Sequence, residues 1–160
     1  MREWQRLSLA MIVAAIAVTD VAAADVAAAA GPNDGQAAFT LREETMKRLG
    51  RSLYTAIGRV VRGKAESSPD TLAAAETIAV TAGTLGSVFP PGSDVPDSRV
   101  KPQIFSSQAK VDELVRGVQQ AAVGLAPALK SGDKAALAAA YKAVNDACEA
   151  CHREFRKEPE

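Results

Sequence analysis

The feature that most constrains this chain is a five-residue segment near its C-terminus, Cys148-Glu149-Ala150-Cys151-His152. It contains both cysteines and the single histidine of the 160 residues. In a helix, residues three and four positions after Cys148 lie on the same face, so the two thiols and the imidazole would point the same way. This is the C-x-x-C-H pattern of c-type haem attachment. The segment predicts one covalent haem c, with thioethers from Cys148 and Cys151 and with His152 as the proximal iron ligand.

Other uses of the two cysteines fit less well. A zinc site needs four ligands, and the chain has no further cysteine or histidine to supply a fourth. A thioredoxin-like pair normally follows a strand, whereas these cysteines lie in an alanine-rich segment. A disulfide between Cys148 and Cys151 would close a loop too short to stabilise a fold much. Haem attachment and a chance occurrence of the pattern are the two interpretations left.

The N-terminal segment predicts export. Arg2 and Arg6 precede an apolar run over residues 7–18, and Ala22-Ala23-Ala24 offers small residues for cleavage. The run is shorter than the ~20 residues that a membrane-spanning helix needs. We expect residues 1–24 to be a cleaved signal peptide and the protein to be periplasmic. A cut after Ala30 and an uncleaved membrane anchor are the alternatives.

The exported part is long enough for one domain with one core. Residues 25–38 are rich in alanine and glycine and predict a flexible N-terminal tail. Residues 39–158 predict a single helical domain, with no membrane span after cleavage. The chain has 19 basic and 19 acidic residues. This balance argues against nucleic-acid binding, which needs a basic excess.

Apolar residues recur at steps of three and four through residues 39–157, the period of amphipathic helices. The first predicted helix runs from about Phe39 to Gly63, and the second begins at Ser68-Pro69. Prolines over residues 90–102 predict an extended crossover loop. The third helix follows Ser106 or Ser107 and is kinked or shortened at Pro127, and the fourth covers about residues 134–157. The expected fold is all-α, an antiparallel four-helix bundle with the haem attached near the C-terminus of helix 4.

The haem motif, the segment Phe89-Pro90-Pro91-Gly92-Ser93 and the helix end Val60-Val61-Arg62-Gly63 together resemble the cytochrome c′ family, the class II c-type cytochromes. The resemblance covers about residues 39–157. Met46-Lys47-Arg48-Leu49-Gly50-Arg51 resembles the low-spin branch of this family, the cytochrome c-556 type, in which methionine is the distal iron ligand. High-spin members leave that position open behind an apolar residue and bind NO or CO.

Met46 is the candidate distal iron ligand. It is the only methionine that remains after residues 1–24 are removed. At about 100° per residue it lies on the same helical face as Leu53 and Arg42. Gly50 follows one turn later, where the missing side chain would let a flat macrocycle approach. A methionine on an apolar stripe can also serve core packing alone, which is the alternative.

Arg42 and Arg156 are candidate contacts of the haem propionates. Arg42 shares the face of Met46, where a charged side chain needs a partner such as a propionate. Alternatively, Arg42 extends to solvent near the helix start. Arg156, four residues after His152, matches a family position that could contact a propionate or cover the histidine edge. The alternative role of Arg156 is that of a cation that stabilises the last helical turn.

Together these features predict a periplasmic electron-transfer protein, not an enzyme, with one low-spin haem ligated by His152 and Met46. The alternative function is a high-spin cytochrome c′ whose open distal site binds NO or CO. The expected partners are redox proteins, and the resemblance also allows a homodimer. Four arginines of the first helix would share one face, as a solvated surface or as a docking stripe for an acidic partner: Arg48, Arg51, Arg59 and Arg62.

Overall fold

Four helices pack against one another in residues 32–158, the part of the chain that the computed structural model describes. Helix α1 comprises Pro32–Gly50, Arg51–Ile57 and Gly58–Val61; α2 is Pro69–Gly83; α3 comprises Gln108–Ala122 and Leu125–Ser131; α4 is Lys134–Phe155. Short connections join α1 to α2 and α3 to α4, and residues 84–107 form the crossover loop between α2 and α3. The expected all-α, antiparallel four-helix bundle is confirmed.

Helix α1 begins at Pro32, so the predicted flexible tail is wrong for residues 32–38. Proline suits the first helical turn, and Asp34 stabilises the positive end of the helix dipole. Gly35 lies against the crossover loop so closely that a Cβ there would be 2.8 Å from the Gly92 carbonyl oxygen. Contact with the crossover loop therefore orders the first turn of α1, although its sequence lacks the apolar period of an amphipathic helix. The rest of the predicted tail and the predicted signal peptide lie outside the described residues.

The middle of α1 departs from regular geometry, because Arg51–Ile57 is π-helical. Its hydrogen bonds run from residue i to i+5, a rare arrangement that is frequent at functional sites. A π-helix turns less per residue than an α-helix. The predicted arginine stripe assumed a regular helix. Because the π-helical segment lies inside it, Arg48 and Arg51 are rotated about the helix axis relative to Arg59 and Arg62, although all four arginines lie at least partly at the surface.

The helix ends follow the capping residues that the sequence predicts. Gly63 ends α1 with φ +64°, and Lys64 N–H donates to the Arg59 carbonyl at 2.8 Å. Ser68 caps α2 by accepting from Thr71 N–H at 3.3 Å. The break in α3 lies at Val123, four residues before Pro127. Proline has no N–H to donate to the Val123 carbonyl, and its ring crowds that carbonyl.

Two apolar clusters fill the bundle. The central cluster includes Leu53, Ile57, Ile78, Leu125 and Val144, all of them buried residues. The second cluster joins the crossover loop to the start of α3 and the end of α4 and includes Phe89, Ile104, Val111 and Phe155. Within residues 32–158, each helix is too short or too polar to cross a membrane.

The crossover loop is tied to the C-terminal end of α4. Lys101 N–H donates to the Phe155 carbonyl at 2.7 Å, and Lys157 N–H donates to the Arg99 carbonyl at 2.8 Å. Val100 and Arg156 thereby form a short antiparallel bridge. These bonds thus hold α4, the helix that contains the haem motif, against the crossover loop between α2 and α3.

Candidate haem site

A cavity of about 460 Å³ lies between α1, α4 and the crossover loop. Its volume is in the range of small-molecule and cofactor sites. Apolar side chains from all four helices and the loop line most of it, among them Leu49, Leu53, Ile78, Phe89, Val118 and Phe155. Such a lining favours a flat apolar ligand and limits contact with water.

The three residues of the haem motif line this cavity together: Cys148, Cys151 and His152. The unbroken helix α4 brings them to one face at the spacing of successive turns. Both cysteines are half-buried and free of disulfide bonds. Burial raises the pKa of Cys148 to about 11, with smaller contributions from Cys151 and Glu149. Burial also raises the pKa of Cys151, whereas the pKa of reactive redox thiols is lowered.

His152 is half-buried beside the two cysteines. Burial lowers its pKa, the Arg156 cation lowers it further, and Glu149 opposes the change. The neutral imidazole is the form that ligates a metal. In residues 32–158, no group of three or more Cys, His, Asp or Glu side chains could hold a bare metal ion. This donor set therefore fits haem iron, which needs only axial protein ligands.

Met46 lines the same cavity from α1. Its side chain is half-buried and packs against the second apolar cluster, as Cys151 does. Gly50 also lines the cavity, and a Cβ built on it would meet no atom within 4 Å. The space beside Met46 that the sequence predicted for a macrocycle is thus present.

Arg42 lines the cavity but is only 4% exposed, so the alternative in which it extends to solvent is wrong. Its terminal nitrogens donate four hydrogen bonds to the crossover loop, to the Val88 and Ser93 carbonyls and to the Ser93 and Ser98 hydroxyls. A guanidinium has five N–H donors, so the one on Nε has no acceptor among residues 32–158. A contact between Arg42 and a haem propionate stays a prediction, and this single donor could make it.

Arg156 follows the last residue of α4 and also lines the cavity. Its backbone N–H donates to the His152 carbonyl at 2.9 Å, while its side chain is exposed. The guanidinium acts on His152 by lowering the pKa of the imidazole. A contact with a propionate stays a prediction for this residue as well.

Sequence reasoning missed the loop serines and Tyr54. Ser93 and Ser98 are 1% and 3% exposed, and they hold Arg42. A serine in a proline-rich loop gives no signal of burial. Tyr54 lines the cavity, and its pKa is raised by burial first and then by Cys148. Its position depends on the π-helical segment, which no residue of the sequence marks.

Comparison with known proteins shows the family of this chain. The family model described as Cytochrome C′ matches residues 37–156. Cytochrome c′ of Rhodospirillum rubrum is 31% identical over 147 residues, which are 91% of this chain and 96% of the relative.

Solved structures of cytochromes c′ have a similar fold. A mutant of cytochrome c prime from Alcaligenes xylosoxidans, in complex with nitric oxide, superposes with a TM-score of 0.70 and 25% identity over 78% of this chain and 97% of the other. A cytochrome c′ with ligand-controlled dimer dissociation gives a TM-score of 0.70 and 27% identity over the same shares. The chain therefore belongs to the cytochrome c′ family of c-type haem proteins, and its cofactor is one covalent haem c.

Proposed function

We propose that this chain is an electron-transfer protein whose haem iron is ligated by His152 and Met46. The observation that carries the proposal is that Met46 lines the same cavity as Cys148, Cys151 and His152. When bound, the haem supplies an iron that alternates between the ferric and ferrous states. Methionine and histidine are the axial pair of electron-transfer cytochromes c, and this pair raises the reduction potential.

The chain's own residues have separate tasks in this proposal. Cys148 and Cys151 attach the porphyrin, and His152 holds the proximal side of the iron. Met46 occupies the distal side and excludes other ligands. The apolar lining keeps water away and so favours the less charged ferrous state. With both axial positions occupied, no substrate reaches the iron, and an enzymatic reaction is not expected.

Gas binding is the second candidate, and the solved relatives favour it. Variants of the Alcaligenes xylosoxidans protein have been solved with nitric oxide or with carbon monoxide bound. Among the comparisons, this alternative has more support than electron transfer. We place electron transfer first because this chain has a methionine, which can ligate iron, in the lining of the cavity.

Location and partners follow from the same proposal. The predicted signal peptide supports a periplasmic protein that exchanges electrons with redox proteins. The family relative with ligand-controlled dimer dissociation supports a homodimer. Sedimentation of the ferrous protein tests the dimer, and under the proposed ligation added CO should leave the sedimentation unchanged.

The substitution Met46→Ala tests the ligand directly. Removal of the thioether should open the distal position, so the ferrous variant should bind CO and the ferric variant should become high-spin. Leu49→Ala is the matched control, because Leu49 lines the same cavity without a ligating atom. An unchanged low-spin spectrum in the Met46→Ala protein would show that another group ligates the iron.

A further inference from the structure

The C-terminal half of α1 is strongly basic, although the chain as a whole is neutral. Residues 45–65 contain six basic residues and no acidic one: Lys47, Arg48, Arg51, Arg59, Arg62 and Lys64. Residues 66–98, which include α2, contain five acidic residues and no basic one: Glu66, Asp70, Glu76, Asp94 and Asp97. The equal totals of 19 basic and 19 acidic residues thus conceal two neighbouring segments of opposite charge.

Four of these cations form what we call the basic face: Arg48, Arg51, Arg59 and Arg62. All four are exposed, and the ion pairs within residues 32–158 are made by other residues. The π-helical segment rotates the two halves of the basic face relative to each other, so the arginines spread over the solvent side of α1. At a rise of 1.5 Å per residue, they extend about 20 Å along the helix. A surface of one sign and this length attracts a protein of the opposite sign.

The basic face borders the haem cavity at Tyr54. This side chain is 40% exposed, and it also lines the cavity. Arg62 lies beside it, because its Nη2 donates to the Tyr54 carbonyl at 3.1 Å. Gly50, the residue before Arg51, lines the cavity as well. A protein that docks on the basic face would therefore meet a side chain that reaches the cavity.

A partner with carboxylates fits this face better than a second copy of the chain. A symmetric dimer joins the same patch of both copies, so a contact through the basic face would set arginines against arginines. The carboxylate of α4 that acts on Tyr54 is that of Glu149, which is half-buried and is a single charge beside four cations. Arginine binds carboxylates through its planar fork, which suits an acidic surface.

We propose that the basic face of α1 is the docking surface for an acidic electron-transfer protein, which exchanges one electron with the haem at the Tyr54 side of the cavity. One electron leaves the ferrous haem, which becomes ferric, and reduces the redox centre of the partner. The proposal rests on the electron-transfer function but not on the sixth iron ligand. Salt should slow the reaction, because the charges are exposed and are screened by ions.

The experiment measures how fast the ferrous holoprotein reduces three oxidants of known charge. They are an acidic plastocyanin, whose copper(II) accepts one electron, the anion hexacyanoferrate(III) and the cation tris(phenanthroline)cobalt(III). The double variant Arg51→Gln, Arg59→Gln removes two charges from the basic face, and within residues 32–158 neither side chain has a hydrogen bond or ion pair to lose. The control, Arg116→Gln with Lys130→Gln, removes two exposed charges from α3.

We expect the α1 variant to react with plastocyanin about fivefold more slowly than the parent protein at low salt, because steering by opposite charge speeds association by on the order of tenfold or more. The control should stay within about twofold of the parent. At 1 M salt, where the Debye length is about 3 Å, the three proteins should react alike. Hexacyanoferrate(III) should follow plastocyanin, whereas the cobalt cation should react faster with the α1 variant. Damage to the haem site would instead slow all three oxidants.

Equal plastocyanin rates for the α1 variant and the control would overturn the proposal, since net charge alone would then account for the salt dependence. Altered sedimentation of the α1 variant at an unchanged plastocyanin rate would assign the face to a second copy and would also overturn it. Failure of the proposed function gives a different result. A ferrous protein that reduces none of the three oxidants would overturn both.

Discussion

Gly50 shows how a single residue can reserve space for a cofactor. It lies one turn after Met46 on α1, in the lining of the cavity, and a Cβ built on it meets no atom within 4 Å. Glycine inside a helix costs stability relative to alanine, so its place here needs a reason. Under the proposed function, room for the porphyrin beside Met46 supplies that reason.

The substitution Gly50→Leu should therefore block haem uptake without unfolding the chain. A leucine side chain would occupy part of the space that the macrocycle needs. Haem content per polypeptide should fall severalfold, while the helical circular dichroism of the chain should persist. Gly117→Leu is the matched control, because a Cβ at Gly117 of α3 also meets open space but that glycine does not line the cavity. Equal haem content in the two variants would contradict the role assigned to Gly50.

Motifs, the family resemblance and the scarcity of residue types predicted the candidate donors of the site but not their surroundings. Cys148, Cys151, His152 and Met46 were predicted from a motif and from the scarcity of these residue types, and they line one cavity. Arg42 was predicted to need a partner, but its partners are loop oxygens distant in the sequence. Serine and carbonyl acceptors give no pattern, so only the folded chain identifies them.

At the scale of helices, the apolar period predicted four elements because amphipathic helices repeat every 3.6 residues. The period did not predict the first turns of α1, which are ordered by contact with the crossover loop. It also did not predict the π-helical segment Arg51–Ile57, because this geometry is rare and the apolar period assumes a regular α-helix. Both departures lie on the helix that contains Met46.

The substitution Gly35→Ala tests whether the loop contact orders the start of α1. Alanine normally stabilises a helix by about 0.5–1 kcal/mol relative to glycine. Here the added methyl would come within 2.8 Å of the Gly92 carbonyl oxygen, so we expect lower stability in urea unfolding. Gly117→Ala is the control and should be neutral or stabilising, because its Cβ meets no neighbour. A more stable Gly35→Ala protein would contradict the packing of this turn.

At the scale of the whole molecule, the haem site joins the two ends of the domain. Met46 lies on the first helix and His152 on the last, and the crossover loop is tied to both helices through Arg42 and through the Val100–Arg156 bridge. A haem that bridges these elements should stabilise the native state against the unfolded chain.

Removal of the attachment should therefore lower the stability of the entire bundle. We expect the double variant Cys148→Ala, Cys151→Ala to lack covalent haem, to have the mass of the bare polypeptide and to melt at a lower temperature than the holoprotein. The melting curve recorded by circular dichroism checks this. Equal melting temperatures for the two proteins would show that the haem does not link α1 to α4.

The visible absorption spectrum of the purified holoprotein, in both oxidation states and with CO added to the ferrous form, tests the ligation most directly. With His152 and Met46 as axial ligands, we expect low-spin spectra, a weak red band of methionine–iron ligation in the ferric form, and no uptake of CO. A high-spin spectrum with ready CO binding would contradict this ligation and establish the gas-binding alternative.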